Sequence, residues 1–164
     1  MSILLAGCSS KGDSLCPGAA ALVEASTLTG FAPGATPDPA HMLYRVAVGN
    51  VTTDCSIDPG ARTADSSVDI HFVATRAPTG EAVQYRAPYF VAVRQGADII
   101  TKKVFWVTFG FAPGEASTNF DQSIGSTVIK IANDKQPYDY QILVGLQLTR
   151  EQLEYNRKAG HYGP

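Results

Sequence analysis

From Tyr138 to Leu148 every second residue is apolar: Tyr138, Tyr140, Ile142, Val144, Leu146 and Leu148. Between them stand Asp139, Gln141, Gly145 and Gln147, which are small or polar. A period of two is the mark of a strand with one face in a core and the other in water. A slip of one residue would turn the apolar set outward, so the pattern fixes a register as well as a conformation. The stretch predicts a half-buried strand central to the core.

The rest of the chain repeats this theme in shorter pieces. Residues 19–31 read as a first strand, with a helical turn before it, because helix-forming alanines give way to Ser26-Thr27-Leu28-Thr29. Tyr44 to Val48 and Val68 to Ala74 alternate cleanly, the second with Asp69 and His71 on its polar face. Tyr89 to Arg94 is a continuous apolar run, the pattern of a strand covered on both faces. In Ile99 to Phe111 the residues Phe105, Val107, Phe109 and Phe111 share one face, opposite Val104, Trp106 and Thr108. Lys102 and Lys103 in that strand would discourage edge-to-edge pairing. Val128 to Ile131 is a further short strand. Pro- and Gly-containing segments at 32–39, 58–60, 77–80 and 112–114 separate these runs, since proline cannot donate within a sheet interior. Phe-Ala-Pro-Gly occurs at both 31–34 and 111–114, which shared strand-exit chemistry explains better than duplication.

Thr149 opens a helix over 149–160, with Gln152 three residues on completing a capping box, Glu154 and Lys158 paired four apart, and Gly160 as the stop. Some seven short strands with one terminal helix predict an all-β fold, an immunoglobulin-like antiparallel β-sandwich with a short C-terminal helix. Tyr140, after a Pro-containing turn, is placed like the tyrosine of an immunoglobulin-type corner. A lipocalin-like barrel needs more strands. With 45% apolar and 17% charged residues, residues 19–164 form a single globular domain. A net charge of −2 without a basic block makes nucleic acid a poor partner, and no run is long enough for a spanning helix.

Three cysteines are present: Cys8, Cys16 and Cys55. Leu5-Ala6-Gly7-Cys8, followed by Ser9 and Ser10, matches the lipobox of bacterial lipoproteins. The resemblance implies that Cys8 becomes an acylated N-terminus, anchored by about 0.8 kcal/mol per buried methylene. Met1 to Leu4 carry neither Lys nor Arg, whereas a secretory signal has a charged region and an apolar stretch of about 7–15 residues. Residues 1–7 therefore read as the remnant of a truncated signal peptide, and residues 8–18 as the lipidated cysteine and a flexible tether. With Cys8 acylated, an even pair remains in an oxidising compartment, and a Cys16–Cys55 disulfide follows.

Sites for chemistry are sparse. His41, His71 and His161 stand in no metal-ligand spacing, and His71 falls on the polar face of its strand. Gly12-Asp13-Ser14 echoes a lipase motif without a core to position it, and no nucleophile elbow occurs. Asp54 and Asp58 flank Cys55 as a calcium possibility, although acidic turn residues more often satisfy backbone donors. No catalytic residue, metal ligand or cofactor is assigned. The remaining lead is aromatic: Tyr89, Phe90 and Trp106, on neighbouring strands, form either core or an interaction surface.

The lipobox, Cys16-Pro17, Phe31-Ala32-Pro33-Gly34, Pro88 to Val93, and Ile142 to Thr149 with Gln152 to Arg157 together resemble a family of small lipoproteins from alphaproteobacteria. The resemblance implies a cell-envelope location facing the periplasm and a domain type, and it carries no activity. Ser9, in place of the retaining aspartate of enteric bacteria, points to the outer membrane. The expectation is a non-enzymatic accessory or interaction module, partnered by the lipid bilayer through Cys8 and by an envelope protein. The rival is a periplasmic small-ligand-binding or enzymatic domain that uses the surface near Tyr89 and Trp106.

Overall fold

The computed structural model describes residues 15–78 and 80–160. Eight strands form two four-stranded sheets, packed face to face, with one terminal helix. The strands are β1 (Gly18–Ala21), β2 (Thr27–Phe31), β3 (Met42–Asp58), β4 (Thr63–Thr75), β5 (Val83–Gln95), β6 (Asp98–Phe111), β7 (Ser117–Lys130) and β8 (Tyr140–Leu146). The first sheet runs β1-β8-β5-β6 and the second β2-β3-β4-β7. Every pair is antiparallel except β1 with β8, so the expected all-antiparallel sandwich has one parallel edge.

That edge corrects the reading of residues 19–31 as one strand. A single turn of 3-10 helix, Val23–Ala25, splits the segment and sends its halves into opposite sheets. The Leu22 amide donates to the Val144 carbonyl at 2.7 Å, and the Ser26 carbonyl accepts from the Val48 amide at 2.8 Å. The Ser26 hydroxyl caps the turn by donating to the Val23 carbonyl at 2.8 Å. The crossing closes this side of the sandwich.

The helix α1 (Arg150–Ala159) docks on the same side. Its start is the capping box read from the sequence: the Gln152 amide donates to Thr149 Oγ1 at 3.2 Å, and the Thr149 amide to Gln152 Oε1 at 2.9 Å. Gly160 ends it in the left-handed region at φ 66°, where a side chain would be strained. Asn156 is fully buried and donates to the Thr27 carbonyl at 2.7 Å, while Tyr155 meets Phe31 edge to face at 5.0 Å. Glu154 pairs with Arg150 at 3.4 Å rather than with the expected Lys158.

β8 departs from the half-exposed strand that alternation predicts. Ile142, Val144 and Leu146 face the inter-sheet core, but Leu143 and Gly145 are buried as well. Leu143 packs with Ala25, Phe90 and Ala92 in a small second cluster on the outer face of the first sheet. A Cβ on Gly145 would stand 2.7 Å from the Phe90 ring, so glycine permits the close approach. The strand is thus layered on both sides along its middle. Tyr138 lies outside it, in a 3-10 turn (Pro137–Asp139), and is 55% exposed. The apolar run at Tyr89 to Arg94 reads correctly: β5 is buried on both faces from Tyr89 to Val93.

Candidate functional site

Two edge strands define the side of the sandwich away from the helix: β6 ends the first sheet and β7 ends the second. They are joined by the turn at 112–116, and next to it they close tightly. Phe109 and Phe120 stack with ring centres 5.1 Å apart, and Phe120 stacks on Phe72 at 5.3 Å. Arg76 clamps this end, donating to the carbonyls of Glu115 at 2.8 Å and Ala112 at 2.7 Å, with its guanidinium 4.9 Å from the Phe111 ring centre.

At the other end the same strands part. A cleft of about 780 Å3 opens between β6 and β7, with Val91 and Val93 of β5, Phe105 of β6, and Ile124 and Ile129 of β7 in its lining. The sequence supplies the reason. Partners across a strand pair share a face, and Lys103 and Thr101 pair with the core residues Val91 and Val93. On the second sheet Thr127 pairs with the fully buried Ser66. Aromatic rings fill these inward rows near the turn. Short hydroxyls and a lysine hold them at the open end, and they cannot bridge sheets that pack about 10 Å apart. Lys103 therefore stands over an apolar floor. It makes no ion pair among the described residues, and no carboxylate lines the cleft.

The open end is also where the described chain begins. Cys16 and Cys55 form the expected disulfide, with Cα atoms 5.8 Å apart, within the usual range for such bridges. Arg62, in the left-handed region at φ 50°, donates from Nε to the Ile131 carbonyl at 3.3 Å and from Nη2 to the Lys135 carbonyl at 3.1 Å. Leu15, half exposed, lies beside Ile57 and Ile131, next to the Ile129–Lys130 wall of the cleft.

The aromatic trio is not brought together. Tyr89 and Phe90 are buried, at 2% and 7% exposure, and belong to the core rather than to an interaction surface. Successive residues of a strand face opposite ways. Tyr89 points between the sheets and stacks on Phe105 at 5.4 Å, and burial pushes its hydroxyl pKa up. Phe90 points outward beneath Lys102, whose ammonium lies 4.3 Å from the ring centre. Trp106 alone of the three is open, 58% exposed on the outer face with Arg86 at 5.0 Å. Sequence reasoning missed the cleft, although its signal was present: the inward pattern of β6 turns from phenylalanine to lysine and threonine.

The remaining candidates have structural partners. The His71 ring is 2.7 Å from Asp121 across the β4–β7 pair, and that of His41 is 2.9 Å from Asp38. Asp58 accepts from the Ala61 amide at 2.9 Å, the backbone role expected of an acidic turn residue. Among the described residues no histidine, cysteine and carboxylate cluster could hold a metal. Cys8, Gly12-Asp13-Ser14 and His161 lie outside the described residues. No family model, curated protein or solved structure matches this chain.

Proposed function

We propose that this chain is an envelope lipoprotein: a β-sandwich held at the membrane through acylated Cys8, acting as an accessory or interaction module rather than an enzyme. The observation that carries this reading is the Cys16–Cys55 disulfide, which joins the start of the described chain to β3. Disulfides persist in oxidising compartments. The bridge takes up two of three cysteines and leaves the lipobox cysteine as the odd one. Ser9 after it favours the outer membrane, with the domain facing the periplasm and an envelope protein as partner. The exposed strip around Trp106 on the outer face of β6 suits that partner, because an open tryptophan beside arginine is a common anchor of interfaces. An immunoglobulin likeness rests on the corner, where the Ala132 amide donates to Tyr140 Oη at 3.0 Å. It does not extend to strand order, because β7 and β8, the last two strands, lie in opposite sheets.

The test is fractionation. With a full signal peptide supplied, Cys8→Ser should leave the protein uncleaved or move it from the membrane pellet to the soluble fraction. The N-terminal peptide of the parent should carry acyl mass. Unchanged fractionation without acyl mass rules the lipoprotein out.

A further inference from the structure

We propose that the open half of the sandwich binds a long-chain fatty acid, its acyl chain on Phe105 and Ile124 and the apolar rim of Ile100 and Val128, and its carboxylate at Lys103. A site that takes an amphiphile needs an apolar trough of sufficient size and one well-placed opposite charge. The cleft's volume of about 780 Å3 lies within the range of ligand sites, about 300–1,000 Å3. Its floor is continuous with the inter-sheet core, since Val91, Val93 and Ile129 are members of that core and Phe105 and Ile124 pack against it.

Charge selects the head group. Lys103 is held by its register on the face that looks into the trough, while its neighbour Lys102 is turned outward over Phe90. With no acidic side chain in the lining, the Lys103 ammonium is available to an incoming anion, and a charge-assisted contact is about twice as strong as a neutral one. Thr101, two residues before Lys103 on the same strand face, and Thr127, across the cleft, offer hydroxyls in the lining. A nucleotide or sugar phosphate would waste the apolar floor, and a neutral lipid would leave Lys103 without a partner. A single acyl chain ending in a carboxylate satisfies both.

The site does not depend on the membrane anchor, so it can be tested apart from it. The full 164-residue chain carrying Cys8→Ser, which has no acyl chain of its own to compete, is titrated with 11-(dansylamino)undecanoic acid and with its methyl ester. The acid should bind more tightly than the ester, and palmitate should displace it. Lys103→Met should weaken the acid about tenfold, the loss of one charge-assisted contact, and leave the ester unchanged. Thr101→Phe, which carries the aromatic row of the closed half into the open one, should block both probes while the protein stays folded. Ile124→Trp is the second blocking variant. Absence of binding by the folded chain would overturn the proposal. So would equal affinities that ignore Lys103→Met, or binding that survives both blocking variants.

Discussion

The two ends of the β6–β7 pair hold their sheets together by different means. Near the 112–116 turn, Phe109, Phe120 and Phe72 form a continuous stack across the sandwich, and Arg76 ties the loops above it. At the far end Lys103 and Thr101 take the inward positions, the sheets part, and the Cys16–Cys55 bridge and the Arg62 clamp hold the strand ends. One end is closed by packing, the other is left open and held at its margin. The lesson concerns side-chain volume. Two edge strands of equal length, joined by one turn, make a core or a cleft according to whether their inward rows carry rings or short polar groups.

The sharpest way to break the comparison is to empty the closed half. Phe109→Ala should cost about 3–5 kcal/mol, the range for a buried aromatic truncated in a packed core, read by denaturant unfolding. Phe105→Ala, at the border of the cleft, should cost clearly less, because part of that ring already faces open space. Equal losses would mean that the two halves are packed alike. The open half is challenged next by its staple: the double variant Cys16→Ser, Cys55→Ser should lose about 2–4 kcal/mol, visible as a lower melting temperature. Arg76→Met follows at about 1–2 kcal/mol, the effect of leaving carbonyls unpartnered at the closed end, in the same melting assay.

A smaller effect appears only in alkali. Burial, and then the neighbouring Tyr85, raise the pKa of Tyr44, and burial raises that of Tyr89. As pH climbs through about 10, tyrosines of the unfolded chain ionise while these two keep their protons. The unfolded state then binds fewer protons than the native one, so stability is full below pH 10 and falls above it. Melting curves should show that decline, and Tyr44→Phe should flatten it. A decline of the same slope in the variant would assign it to other groups. The smallest expected change is Lys103→Met in the absence of ligand: an exposed lysine without an ion pair should shift stability by no more than about 0.5 kcal/mol.

Much of this was legible in the chain. The alternation in Val68 to Ala74 and in Ile99 to Phe111 assigned inward and outward residues as the sheets have them. The capping box at Thr149 and the pairing of Cys16 with Cys55 also stand as read. Both are local or arithmetical signals, fixed by spacing or parity. The errors share a different cause. Residues 19–31 read as one strand because propensity describes a residue's neighbours in sequence and says nothing of a change of sheet. The middle of β8 read as half exposed because the alternation passed over Leu143, although Ile142-Leu143-Val144 is a continuous apolar run of the kind that marks β5. Alternation cannot report that Ala25 and Phe90 arrive to cover Leu143 and Gly145. Tyr89, Phe90 and Trp106 were grouped by adjacency, although neighbours along a strand face apart.

Sequence alone settled the inward and outward faces of Val68 to Ala74 and Ile99 to Phe111, most of the Pro- and Gly-containing turns, and which two cysteines can pair, while Ser117 to Thr127 of β7 went unread as strand. Those properties follow from φ/ψ preferences and a period of two, and both act over a few residues. Only the tertiary structure decided which strands are neighbours, that β1 runs parallel to β8, and that β6 and β7 face each other across an opening. Strand neighbours are chosen by the summed burial of whole faces, a property of the assembled sheets. Whether Lys103 sits at a harmless edge or over an apolar cleft depends on residues more than twenty positions away, in β7.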